Sequence, residues 1–125
     1  MATGKNQSFS NRLRYACSGL VHGLRSERSL RAHAAVFATA VVALVVLRPE
    51  PVWWALTLLA SAAVVAAELI NTAIEVLADH LHPEIHPRIR IVKDCAAAAV
   101  LVAALGAVSV AAALVVHVSL QVLDK

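Results

Sequence analysis

The sequence predicts an all-α membrane protein: three transmembrane helices preceded by an amphipathic helix lying in the membrane interface. Composition is the first reason. Hydrophobic residues make up 60% of the 125-residue chain and charged residues only 15%, against about 45–50% and 25% in soluble domains. Patterning is the second, because three apolar stretches approach or reach the length of a span. Charge is the third, because Lys and Arg cluster before the first and third stretches and are sparse elsewhere. A chain of this length is normally one domain, so residues 1–125 are read as a single unit.

The N-terminal helix is expected over about 9–30. Leu13, Ala16, Cys17, Leu20, Val21 and Leu24 recur at helical spacing on one face, while Arg12, Arg14, Arg25 and Arg28 line much of the rest. Such a helix buries its apolar face at the acyl boundary and keeps its cations near lipid phosphates. Glu27, the lone acid among Arg25, Arg28 and Arg31, does not help binding to anionic lipid and could instead pair with those arginines, beside the simpler reading of the helix as an anchor alone. The first span is expected over about 31–47, ended by Arg48-Pro49-Glu50-Pro51. The second runs from 52 to 79 and the third over about 94–119, nearly all Ala, Val and Leu. Small residues in the third suit close helix approach in lipid. The first 31 residues are polar and basic with no early apolar core, unlike a cleaved signal peptide.

Lys5, Arg12, Arg14, Arg25, Arg28 and Arg31 precede the first span, and Arg88, Arg90 and Lys93 precede the third. The first loop has only Arg48 and the C-terminal tail only Lys125. The positive-inside rule then puts the N-terminus and second loop in the cytoplasm.

The end of the second span carries the chemistry. After the uncharged run from Val52 to Ala67 comes ELINTAIEVLAD, with Glu68, Asn71, Glu75 and Asp79 spaced by three, four and four residues. On a helix these fall within roughly 80° of one another, with Thr72 on the same side and Leu69, Ile70, Ile74 and Leu77 opposite. A carboxylate within a span costs on the order of 2.5 kcal/mol or more. Three on one stripe call for a compensating partner, and the natural partner of stacked carboxylates is a cation. Glu75 and Asp79 lie toward the cytoplasmic surface, where nucleotide is available, and Glu68 is about 10 Å deeper than Glu75 along the axis.

That dodecapeptide, followed by PEIHP at 83–87 and by Lys93-Asp94 opening an apolar helix, resembles the prokaryotic diacylglycerol kinase family, which includes undecaprenol kinases. Upstream, YACSGL at 15–20 and SERSLRAH at 26–33 are similar to its pattern, and the resemblance runs from Phe9 to Gly106 without an insertion. It implies a kinase of the bacterial inner membrane that moves the γ-phosphate of ATP to the hydroxyl of a lipid alcohol, diacylglycerol (giving phosphatidic acid) or undecaprenol. It implies Glu68 as general base, with Asn71 and Asp79 completing the catalytic cluster. It further implies Glu27 and Glu75 as ligands of Mg2+ on the nucleotide, and Tyr15, Glu84, His86, Lys93 and Asp94 as nucleotide contacts. Homotrimers with sites shared between neighbours are also implied. Arg31 and Trp54 are additional candidates for contact with the lipid substrate, and no nucleic-acid partner is expected.

The physics of phosphoryl transfer agrees with such a set. It requires an in-line hydroxyl, a cation on the phosphates and fixed positive charge beside them. Magnesium takes hard oxygen ligands, typically one or two protein carboxylates alongside the phosphates.

Simpler readings stand beside these. Asn71 could bridge helices, as amides in membranes do, and Asp79 could be solvated or pair with Arg88 or Arg90. His80, His82 and His86 lack a cysteine or fourth ligand at zinc spacing. Trp53 and Trp54 fit outer interface anchors, and Cys17 and Cys95 form no C-x-x-C pair. A small proton-coupled transporter, with Glu68 as its proton and substrate site, is the alternative function; a purely structural oligomer leaves the acids unexplained. Two positions depart from the family's pattern. Ser8 stands where many members have a basic residue, with Arg12 as a candidate replacement, and His33 stands where the diacylglycerol-phosphorylating members tend to have an acid.

Overall fold

A computed structural model of the chain describes residues 8–82, 84 and 86–123. Four helices follow one another: α1 (Phe9–Ser26), α2 (Arg28–Leu47), α3 (Pro51–Leu81) and α4 (Pro87–Leu123). The described residues include no strand. Helices α2, α3 and α4 are long and apolar enough to cross a membrane. Their large apolar side chains point mostly outward, with Val46, Leu59 and Val102 each about 70% exposed. A water-soluble bundle would bury such residues, whereas hydrocarbon is as apolar as they are. The chain is a multi-pass, all-helical membrane protein.

The helix expected over 9–30 is interrupted. Glu27 adopts an extended backbone (φ −101°, ψ 123°) between α1 and α2, and its N–H closes α1 on the Gly23 carbonyl at 2.9 Å. One extended residue is enough to turn the chain, so Glu27 occupies the corner between the two helices. Gly23 makes that corner possible. A Cβ there would lie 2.9 Å from Cδ2 of both Leu30 and Leu69, so the missing side chain lets α1, α2 and α3 converge. Leu30 is itself fully buried. Leu13, Leu20 and Val21 on α1 stay exposed, as fits an apolar face turned to lipid.

Arg48 ends α2 in the left-handed conformation (φ 47°), its N–H bonded to the Leu44 carbonyl at 2.9 Å. Pro51 then opens α3, where its missing N–H costs nothing. Proline does the same at the head of α4, which starts at Pro87 rather than near 94. Lys93 and Asp94 consequently sit in its second turn instead of at its start.

α3 packs against all three other helices and most extensively along α4. Ala63 and Ala67 of α3 and Ala96 and Ala99 of α4 line one shared cleft, the close approach that small residues allow. The 31 residues of α3 span about 46 Å, well beyond the roughly 30 Å of bilayer hydrocarbon. A helix entering that layer at Val52 leaves it about 20 residues later, near Asn71. Entry at Val52 without tilt would put Glu68 near the far edge of that layer, with Glu75 and Asp79 beyond it.

Candidate active site

The polar face of α3 is graded from buried to exposed. Glu68, deepest in the row, is only 3% exposed. Both of its carboxylate oxygens are met from α2: Ser29 Oγ donates to Oε2 at 2.9 Å, and His33 Nε2 lies 3.2 Å from Oε1. Buried Thr72 donates its hydroxyl to the Glu68 carbonyl at 3.0 Å, capping the same turn. A hydrogen bond to a charged group, such as that from Ser29, is worth about 1.5–3 kcal/mol, the order of the cost of holding a carboxylate in a span.

One turn further, Asn71 Nδ2 donates to Glu75 Oε1 at 3.0 Å. Through Nδ2 the amide serves its own helix. Its Oδ1 is buried with no hydrogen-bond partner among the described residues. Glu75 itself is half-buried.

At the end of the row, Asp79 pairs with Lys93, Nζ to Oδ1 at 2.5 Å. The partner is neither Arg88 nor Arg90, and the register of α4 explains why. Ile89, Lys93, Ala96 and Val100 recur at helical spacing and are the less exposed residues of that end, whereas Arg88 and Arg90 face outward. Asp94 sits 3.9 Å from Arg90 with both side chains at least 70% exposed, a surface pair of little energetic worth.

These residues enclose a small polar pocket of about 230 Å3, lined by Asp79, His82, Glu84, His86, Ile89, Arg90, Lys93 and Asp94. Five residues singled out in the sequence thus meet in one place: Asp79, Glu84, His86, Lys93 and Asp94. His86 Nδ1 accepts the Arg88 backbone N–H at 3.2 Å, which orients the ring.

The remaining candidates are placed differently. Glu27 is half-buried at the α1–α2 corner, and no ion pair among the described residues involves it; Arg31 instead donates to the carbonyls of Leu24 and Arg25 at 3.4 and 3.1 Å. Tyr15 is exposed on α1, with the Arg14 guanidinium 5.5 Å from its ring centre. Trp54 lies at the opposite end of α3, about 20 Å from Glu68 along the axis, so it is not brought to the site. Its neighbour Trp53 stacks against His117 of α4, ring centres 5.1 Å apart.

The donor set suits a hard cation. Among the described residues no group of three or more His, Cys, Asp or Glu side chains converges on one point, which a self-sufficient metal site would need. Magnesium on a nucleotide needs less, since phosphates supply most of its ligands. Half-buried Glu75 and the orphaned Oδ1 of Asn71 offer such oxygens at the level between Glu68 and the polar pocket.

Two apolar clefts lie beside neighbours of Glu68, though Glu68 itself lines neither. One, of about 660 Å3, lies between α1 and α3 and is lined by Gly19, Leu20, Gly23, Leu69, Ala73 and Val76 among others. The other, of about 380 Å3, runs between α2, α3 and α4 from His33 past Phe37, Val64 and Leu114 to Leu47. Ser29 and His33 meet the Glu68 carboxylate and are given no role by the sequence. Their four-residue spacing, which puts both on one face of α2, is the signal that could have found them.

A sequence model described as prokaryotic diacylglycerol kinase matches residues 14–115. The chain is 37% identical over 98 residues to a diacylglycerol kinase of Synechocystis sp., an overlap covering 78% of this chain and 56% of that protein. It therefore spans little more than half the length of that relative. No solved structure matches.

Proposed function

The chain belongs to the prokaryotic diacylglycerol kinase family, and on that premise we propose that it is a lipid kinase. The reaction is transfer of the γ-phosphoryl group of ATP to the hydroxyl of a membrane lipid alcohol, diacylglycerol or undecaprenol. The observation that carries the reading is the grading of α3. A buried carboxylate lies on the helix face that runs out, about three turns later, to a polar pocket containing Lys93.

Each end of that face has its task. Glu68 meets an alcohol whose chains remain in the bilayer and accepts the hydroxyl proton as the new O–P bond forms and the β–γ bridging bond breaks. Lys93 offers a compact positive charge to the phosphates; Asp79 holds that ammonium in place. Asp94, Glu84 and His86 line the rest of the nucleotide pocket, with Tyr15 as a further contact. Glu75, with Glu27 at the corner, would hold Mg2+; when bound, the ion neutralises charge on the β- and γ-phosphate oxygens. Arg31, exposed at the same level as Ser29 and Glu27, is a candidate contact for the lipid.

The distribution of Lys and Arg supports an orientation with α1 and the α3–α4 connection at the cytoplasmic face of the bacterial inner membrane. A proton-coupled transporter would hold its acid near the middle of a span. Glu68 is about 24 Å from Val52 along α3, close to the far edge of the hydrocarbon, which supports the kinase. Three spans cannot enclose a site on their own, so the active species is taken to be a homotrimer with sites between subunits.

The test is labelled ATP offered with diacylglycerol and with undecaprenol in parallel, at matched mole fraction in micelles containing Mg2+. Label in either lipid, lost in Glu68→Gln, supports the reading. Label in neither sinks it.

A further inference from the structure

The side chain of Glu68 is flexible, yet a general base must stand within about 2.6–3.2 Å of the proton it takes, and a misplacement of about 1 Å can cost on the order of a hundredfold in rate. Among the described residues only two side chains reach its carboxylate, and both come from α2. They are not equivalent. The Ser29 hydroxyl can rotate its proton to another acceptor. His33 sets a planar ring beside the carboxylate, with Nε2 in ion-pair contact 3.2 Å from Glu68 Oε1.

The ring is also placed where substrate would pass. Its side chain is 30% exposed against 4% for Glu68, and it forms one end of the apolar cleft bounded by Phe37, Val64 and Leu114. His33 therefore touches the buried carboxylate on one side and the lipid-like cleft on the other. No other ionisable side chain among those described does both.

We propose that His33 is a positioning residue for lipid phosphorylation. The contact of its Nε2 with Oε1 and the Ser29 hydrogen bond to Oε2 hold the Glu68 carboxylate, whose remaining lone pairs are presented to the hydroxyl of a lipid whose chain enters beside the imidazole. The proposal rests on the lipid-kinase reading and adds to it the residue that sets the aim of the base.

The full-length protein in lipid micelles tests this with His33→Phe, which keeps a ring without a donor, and His33→Gln, which keeps a donor without the ring. In His33→Phe, kcat should fall about tenfold through loss of the polar contact that aims the carboxylate, with KM for ATP within about twofold of wild type. His33→Gln should recover most of that loss. The infrared carboxyl band of Glu68, assigned by its disappearance in Glu68→Gln, should shift in His33→Phe and return in His33→Gln. A His33→Phe enzyme with wild-type kcat, a His33→Gln enzyme as slow as His33→Phe, or an unmoved Glu68 band overturns the proposal while leaving the kinase intact. A wild-type protein that labels neither lipid removes the kinase reading and this proposal together.

Discussion

Lys93 of α4 reaches across to Asp79 of α3, Nζ to Oδ1 at 2.5 Å, over a separation of fourteen residues. The pair ties the ends of the two most extensively packed helices and sets the ammonium at the wall of the polar pocket. As Asp79 is about two-thirds exposed, the pair contributes under about 1 kcal/mol to stability. Its value lies in placement. Lys93→Met should leave the thermal midpoint nearly unchanged and raise KM for ATP about ten- to a hundredfold, the loss of one charge-assisted phosphate contact. ATP titrations of turnover measure this; an unaltered KM would take Lys93 out of the nucleotide site.

Glu68→Gln keeps size and hydrogen-bonding capacity while removing the ability to accept a proton. Turnover should drop by at least about a hundredfold. Binding of a fluorescent ATP analogue should change little, because Glu68 is held by α2 and does not line the polar pocket. Normal turnover in the purified variant would show that another group is the base.

Glu75→Gln and Glu27→Gln should each raise the Mg2+ concentration for half-maximal turnover on the order of tenfold, since one anionic oxygen ligand is lost while the phosphates still bind the ion. Magnesium titrations at saturating ATP provide the measurement. Unchanged metal dependence in either variant removes that residue from the metal site.

Gly23 is the packing point of α1 on the spanning helices. In Gly23→Val the new Cβ meets Cδ2 of Leu30 and Leu69 at 2.9 Å, so both side chains must shift, and Leu30 is fully buried. Overpacking of this kind costs about 1–3 kcal/mol. The expected result is a lower thermal midpoint together with faster tryptic cleavage at Arg25 and Arg28 as α1 lifts away. Gly23→Ser, with a smaller addition, should fall between.

Much of the apolar surface of α2, α3 and α4 is exposed, and the polar face of α3 is open on one side. The detergent-solubilised protein should run as a species of three 13.2 kDa chains, as mass from light scattering would report. Full activity in a monomeric fraction would contradict the shared-site arrangement.

The acidic row was legible because helical periodicity converts spacings of three and four into a single face whatever surrounds it, and Glu68, Asn71, Glu75 and Asp79 are on that face. The spans were legible because hydrocarbon imposes length and apolarity on each segment separately. The break at Glu27 was not. Nothing in its neighbours forbids a continuous helix, and the turn depends on Gly23, Leu30 and Leu69 meeting at one point. Nor was the partner of Asp79, which followed from α4 starting at Pro87 and so turning Lys93 inward in place of Arg88 or Arg90.

By itself, then, the sequence determined what each helix needs from its solvent: which residues cross, which face is polar, and which acids need company. The tertiary structure alone decided who supplies it. Ser29 and His33 are 39 and 35 residues before Glu68 in the chain, and polar contacts across such separations depend on how α2 rotates against α3. That rotation is chosen by packing, to which every contacting side chain contributes a little, and no local pattern encodes it.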